Sequence, residues 1–213
     1  MTAGDFHEQL SRRATVANVE FSKALAEQME SYYRLLVRWN ASINLTALPL
    51  DPLTDEALDR LLIEPVSTAR FLRTAPVWFD LGSGGGSPAI PLKLARPGGR
   101  LTMVESKERK AAFLREAVRT LNLESAYVEA ERIESVAADS RLAGTADLVT
   151  VRAVRVDPPL LGAARTLLRF GGQAVFFGAK RADLPVMRGF EAVEPTFSES
   201  PSSRFVLLTR TGF

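Results

Sequence analysis

The residues with the clearest chemical potential are Asp80-Leu81-Gly82-Ser83-Gly84-Gly85-Gly86, a glycine-rich run between a short apolar segment and a helix start. Open α/β sheets bind ligands at such strand-to-helix turns. Glycine there permits tight turning and lets a ligand lie against the backbone. A dinucleotide fingerprint, G-x-G-x-x-G, built on Gly82 and Gly84 needs a third glycine at position 87, and that residue is Ser87. No Gly-Lys-Ser/Thr follows, so the run is not a P-loop. Glu105 stands at the end of the next strand-like segment. An acid about 20 residues past such a loop can accept hydrogen bonds from both hydroxyls of a ribose.

Composition removes much other chemistry. The 213 residues include no cysteine and one histidine. Disulfides, thiolate-held metals or clusters and cysteine nucleophiles are excluded. A Ser-His-Asp triad would have to use His7, in a terminal segment expected to be mobile. Lysine and arginine total 27 against 25 acids, a net charge of +2, so local rather than global charge must reveal an anionic partner. There is no apolar run of membrane-spanning length, and MTAGDFHEQLSRR lacks a signal-peptide core, so a cytoplasmic location is the default expectation.

The elements that must position these residues follow from periodicity. Phe21, Leu25, Met29, Tyr32, Leu36 and Trp39 recur at three- and four-residue steps, predicting a helix over 18–39 with a core-packing stripe. A loop over 40–50 and a second helix over 53–73 follow. The texture changes near residue 75, dividing the chain into an N-terminal helical segment, 1–75, and an α/β domain, 76–213. Ser87 and Pro88 suit a helix cap and first turn. Short apolar runs at 100–105, 126–130, 146–153 and 173–179 alternate with helical ones at 107–123 and 157–170. That alternation predicts a parallel sheet with helices on both faces. Two strand-like tail segments, 190–197 and 203–210 around a Glu-Ser-Pro-Ser-Ser turn, make it a mixed sheet of seven strands. Asp157-Pro158-Pro159 reads as a helix cap with a first-turn proline.

The D-x-G-x-G-x-G run resembles the first motif of class I S-adenosylmethionine-dependent methyltransferases. The whole chain resembles the bacterial guanine-N7 methyltransferases of small-subunit ribosomal RNA. The resemblance rests on W-N-x-x-I-N-L-T at 39–46, D-L-G-S-G-G-G-S-P-A-I-P at 80–91, V-E-S-K-E-R-K-A-A-F-L at 104–114, E-R-I-E at 131–134, V-R-A at 151–153 and G-A-K at 178–180. It implies a class I α/β fold with an N-terminal helical extension and S-adenosyl-L-methionine as cofactor. It further implies methyl transfer to N7 of a guanine in 16S ribosomal RNA, at the 530 loop, with the RNA or the small subunit as partner. Carried over by residue, Asp80, Gly82, Gly84, Gly86 and Glu105 would meet the cofactor, with Arg132, Ile133 and Glu134 near its adenine. Asn44 and Arg152 would carry catalysis, and Arg109, Lys110, Arg152 and Lys180 would meet RNA. The sequence departs from the family where a usual Lys-Arg pair is Arg109-Lys110, and where His-Ile-Leu-Asp-Ser is Leu61-Leu62-Ile63-Glu64-Pro65.

The reaction fits the side chains available. Guanine N7 offers an in-plane lone pair and no proton, so positioning and electrostatics suffice without a general base. Arg152, at a strand end, could meet guanine O6 or a phosphate; the plainer reading is a surface arginine. Lys107, Arg109, Lys110, Arg115 and Arg119, with Arg155, Lys180 and Arg181, gather near the expected rim, where phosphate contacts would make RNA affinity salt-dependent. No metal or membrane partner is expected. The alternatives are methylation of another RNA or a small molecule, and a non-catalytic cofactor-binding assembly factor. A nicotinamide enzyme is disfavoured by Ser87.

Overall fold

The computed structural model describes residues 2–185, 188–193 and 204–212. Helices come first. α1 (Ala3–Val16) opens with a reciprocal cap: the Thr2 hydroxyl accepts the Asp5 N–H while the Asp5 carboxylate accepts the Thr2 N–H. The segment expected to be mobile is therefore a docked helix. Phe6, Leu10 and Ala14 are buried, His7 Nε2 lies 2.8 Å from Glu30 Oε2, and Arg13 forks onto Asp59 at 2.8 and 2.5 Å. α2 (Lys23–Asn40) begins later than position 18 because the Ser22 hydroxyl takes the Leu25 N–H and caps it there. Met29, Tyr32 and Leu36 form its buried stripe, as the spacing predicts.

The helix expected over 53–73 exists but changes gauge along its length. α3 (Asp55–Leu58) passes through a π turn (Asp59–Ile63) into α4 (Glu64–Thr68) and a 3₁₀ turn (Ala69–Phe71). A π turn breaks the regular i→i−4 ladder. Two carbonyls of this turn accept from outside: Leu61 O from the Ser87 hydroxyl at 2.9 Å, and Arg60 O from Arg152 Nη1. The predicted Ser87 cap is thereby corrected. The hydroxyl is engaged on the π turn, and Pro88, expected in the first turn, is instead the N-cap of α5 (Ala89–Ala95), after a cis Ser87–Pro88 bond and with no side-chain cap.

The strands are β1 (Val77–Leu81), β2 (Arg100–Val104), β3 (Ala126–Glu129), β4 (Ala146–Arg152), β5 (Leu168–Phe177), β6 (Phe190–Val193) and β7 (Phe205–Arg210). Their order is β3-β2-β1-β4-β5-β7-β6. β1 to β5 pair in parallel and β7 runs antiparallel to both β5 and β6, giving the mixed seven-stranded sheet. β5 begins five residues before the predicted 173, with a register irregularity opposite Ala146 and Leu148. The predicted tail turn at 199–203 lies outside the described residues.

Alternation along the strands separates two cores. Trp78, Leu101 and Met103 face α2, α5 and α6 (Glu108–Thr120). Phe79, Val104 and Val149 face α7 (Ile133–Ala138) and α8 (Pro158–Leu167). Asp157 caps α8 as expected, accepting the Leu160 N–H at 3.0 Å. Among the described residues no helix is long and apolar enough to cross a membrane.

Candidate functional site

A cavity of about 780 Å³ opens where β1, β2, β3 and β4 end. Gly82, Ser83, Gly84 and Gly85 form one side, Glu105 and Lys107 another, and 131–134 a third. The N-terminal helices close it with Asn44, Arg60 and Leu61. Of the residues singled out from sequence, Asn44, Gly82, Gly84, Glu105, Lys110, Arg132, Ile133, Glu134 and Arg152 line this one space. Asp80 and Gly86 lie beneath it, while Arg109 and Lys180 are exposed residues outside its lining.

The glycine loop is held from both sides. Gly82 has φ +76°, and an added Cβ would come within 2.4 Å of Val154, so only glycine fits there. Gly82 and Ser83 N–H groups donate to Val104 O at 2.9 and 3.0 Å, sewing the loop to the end of β2. From below, the buried Tyr32 hydroxyl of α2 donates to Gly85 O at 2.6 Å. The sequence pattern marks Tyr32 only as part of the core stripe. Its contact 53 residues away had no local signal.

Two acids face the cavity region in different states. Glu105 is fixed by the backbone: Oε2 accepts the Gly84 N–H at 2.9 Å and Oε1 the Lys107 N–H at 2.8 Å. Each carboxylate oxygen carries two lone pairs, so it retains capacity for hydroxyl donors. Asp80 is 1% exposed. Its Oδ1 accepts from the Thr150 hydroxyl at 2.5 Å, and its Oδ2 is buried with no partner among the described residues. Burial pushes its carboxyl up to about 6, with Ser83, Thr150 and Arg152 pulling the other way and Glu105 adding to the rise.

Arg152 is not the surface arginine of the plainer reading: it lines the cavity with its guanidinium buried. Its side chain is 9% exposed and lies 4.6 Å from the Phe177 ring centroid. Nη1 donates to Arg60 O, and Nη2 lies 2.8 Å from Glu64 Oε2. Nε is buried without a partner. Glu64 enters the sequence reading only as part of the Leu61–Pro65 departure, although an acid inside the apolar run Leu61-Leu62-Ile63-Glu64-Pro65-Val66 signals a buried charge needing a partner. Its other oxygen accepts the Arg204 N–H at 2.9 Å. Burial raises the Glu64 carboxyl against the pull of Arg152.

The 40–50 loop is organised by Asn40, whose Oδ1 accepts the N–H groups of Leu45 and Thr46 at 2.9 and 3.0 Å. That presents Asn44, exposed, at the cavity wall. Arg109 Nη2 donates to Ser42 O at 3.3 Å, joining the start of α6 to this loop. Lys180 sits beyond β5, where its N–H donates to Asp183 Oδ2 at 2.8 Å. Among the described residues no group of three or more His, Cys, Asp or Glu could hold a metal ion.

The profile of the rRNA small subunit methyltransferase G family matches residues 25–187. The ribosomal RNA small subunit methyltransferase G of Stenotrophomonas maltophilia strain K279a is 36% identical over 204 residues, covering 92% of each chain. The protein of the same name from Geobacillus kaustophilus is 33% identical, covering 91% of this chain and 79% of its own. Among solved structures, a methyltransferase from Geobacter sulfurreducens superposes with a TM-score of 0.59 at 12% identity, covering 85% of this chain and 88% of its own. A SAM-dependent O-methyltransferase from Thermotoga maritima gives 0.52 at 16% identity, covering 75% and 71%. At such identities the likeness speaks for the fold, which is that of class I methyltransferases.

Proposed function

Because the chain belongs to the rRNA small subunit methyltransferase G family, we propose that it transfers a methyl group from S-adenosylmethionine to N7 of a guanine in the 530 loop of 16S ribosomal RNA, acting in the cytoplasm. The observation that carries the reading is the pair of buried polar atoms without partners beside the glycine loop, Asp80 Oδ2 and Arg152 Nε. One is anionic and the other cationic. They complement the ammonium and carboxylate of a zwitterionic methionine portion, and a buried polar atom left unpaired is costly unless a ligand satisfies it. Arg152 is accordingly read here as a cofactor-end residue rather than an RNA contact.

Glu105 would take the ribose hydroxyls with its spare lone pairs, and 131–134 would flank the adenine. When bound, S-adenosylmethionine supplies an electrophilic methyl on its sulfonium. The protein's task is then to orient that end and admit the guanine edge-on. N7 gives up no proton, so no general base is needed. Asn44, Arg60 and Lys110 line the cavity toward the N-terminal helices, where the base would arrive. Arg109 and Lys180 would add phosphate contacts outside it. In this reading the helical segment 1–75 supports the glycine loop and forms one wall, and 76–213 carries the cofactor. The partner is the small subunit or its RNA.

The test is to incubate the protein with methyl-labelled cofactor and 30S particles that lack the modification, then map the labelled base by its N7-methylguanine chemistry. One guanine of the 530 loop should carry the label. Label at another atom or another RNA, or none despite bound cofactor, would overturn the assignment.

A further inference from the structure

Asp80, Thr150 and Trp78 form a directed hydrogen-bond chain. Trp78 and Asp80 are two residues apart on β1 and so point to one face of the sheet. Thr150 is the direct partner of Asp80 in the parallel β1–β4 register. Trp78 Nε1 donates to Thr150 Oγ1 at 2.9 Å, and Thr150 Oγ1 donates to Asp80 Oδ1 at 2.5 Å. All three side chains are at most 4% exposed.

The direction of this chain is set by chemistry. An indole N–H can only donate, and a threonine hydroxyl has a single proton. With the indole occupying a lone pair of Thr150, the hydroxyl proton is free to go to Asp80. A protonated Asp80 donating back along the same line would leave the Thr150 proton without an acceptor in a buried site. The hydroxyl is thus a donor to Oδ1, and because a donor binds a charged oxygen more strongly than a neutral one, the chain favours the carboxylate form while leaving Oδ2 open. We propose that Thr150, oriented by Trp78, is a positioning residue that keeps Asp80 ionised and turned so that Oδ2 is presented to the ammonium of the cofactor. This rests on the reading above that Asp80 meets that ammonium. The other charged or titratable groups acting on Asp80 are Arg152 at the end of β4 and Glu105 after β2, and Tyr32 of α2 senses it in turn. The Ser83 hydroxyl also favours the carboxylate, but it donates to the Asp80 backbone carbonyl at 3.0 Å, whereas the Thr150 hydroxyl donates to the carboxylate oxygen itself.

The experiment is calorimetric titration of the full chain with two probes. S-adenosylhomocysteine has the amino-acid end, and 5′-deoxy-5′-methylthioadenosine lacks it. Thr150→Val keeps the shape and removes the hydroxyl. It should weaken S-adenosylhomocysteine about tenfold at neutral pH, the scale of a lost hydrogen bond to a charged group. It should also move the loss of affinity on acidification upward by about one pH unit. Methylthioadenosine binding should be unchanged. Thr150→Ser should restore wild-type behaviour, and Trp78→Phe should fall between, with a cost of a few-fold.

Wild-type affinity and pH dependence in Thr150→Val, while Asp80→Asn binds S-adenosylhomocysteine poorly, would overturn the positioning role. So would an equal loss for both probes, which marks a packing defect. If Asp80→Asn itself binds both probes like the wild type, the reading of Asp80 beneath this proposal fails, and the proposal with it.

Discussion

Two buried carboxylates near one arginine are treated differently by the fold. Glu64, at the start of α4 directly after the π turn, has both oxygens engaged, one by the Arg152 guanidinium and one by the Arg204 N–H. Asp80, in the floor under the glycine loop, is buried at least as deeply yet keeps one oxygen without a partner. A buried charge with all its partners supplied from within serves architecture. One held with a partner missing is a standing cost that a ligand can relieve. Under the proposed reading, the contrast separates a pair that supports the cavity wall from an acid left for a ligand.

The largest expected effect lies in the wall. Glu64→Ala should destabilise the protein by about 3–5 kcal/mol, because it strands the Arg152 charge in the interior. Urea unfolding would measure this, and a loss below about 1 kcal/mol would mean the pair is not the wall's anchor.

Next comes the floor, where the sign reverses. Asp80→Asn should weaken S-adenosylhomocysteine by about ten- to a hundredfold, since hydrogen bonds to charged groups contribute about 1.5–3 kcal/mol. The same variant should melt higher than the wild type at neutral pH without ligand, because a desolvated charge is gone. A lower melting point would break the comparison.

The pH dependence follows from the same group. The Asp80 carboxyl titrates near 6 in the folded chain against 3.8 when unperturbed. Its contribution to stability is therefore fully present below about 3.8 and lost as the pH rises through about 6. Glu64, also raised, acts in the same direction. The ligand-free protein should gain stability from these groups on acidification from neutral pH, and saturating S-adenosylhomocysteine should flatten that gain. Thermal midpoints with and without ligand would show it.

Tyr32→Phe removes one hydroxyl that holds Gly85 O and should cost about 1 kcal/mol in stability, with a few-fold loss of cofactor affinity. Smallest of all, Arg115→Ala breaks an ion pair to Glu108 in which both side chains are about half exposed or more. It should change stability by less than about 0.5 kcal/mol, marking how little an exposed pair contributes beside the Glu64–Arg152 pair.

Much of this was legible from residue order. The glycine run, the acid at 105 and the alternation of strands and helices are local patterns, and each emerged where the spacing put it. The misjudged residues share a cause. Ser87 sits where a helix cap belongs, but its hydroxyl goes to Leu61 O, 26 residues away. Arg152 stands at a strand end as expected, but the acid 88 positions earlier that holds its guanidinium has no signal near it in sequence. His7 looked loose because nothing near it in sequence is its partner, whereas Glu30 is.

The sequence by itself determined the kind of loop, the kind of sheet and the absence of thiol chemistry, because backbone freedom at glycine, side-chain periodicity and residue inventory act at short range. Only the tertiary structure decided which charges are spent on one another and which are left for a ligand. That depends on the strand register that sets Thr150 against Asp80, and on the π turn that brings Glu64 and a spare carbonyl to Arg152. Pairing in a low-dielectric interior is a matter of ångströms across the fold, and chain order does not encode distance between residues 70 or more positions apart.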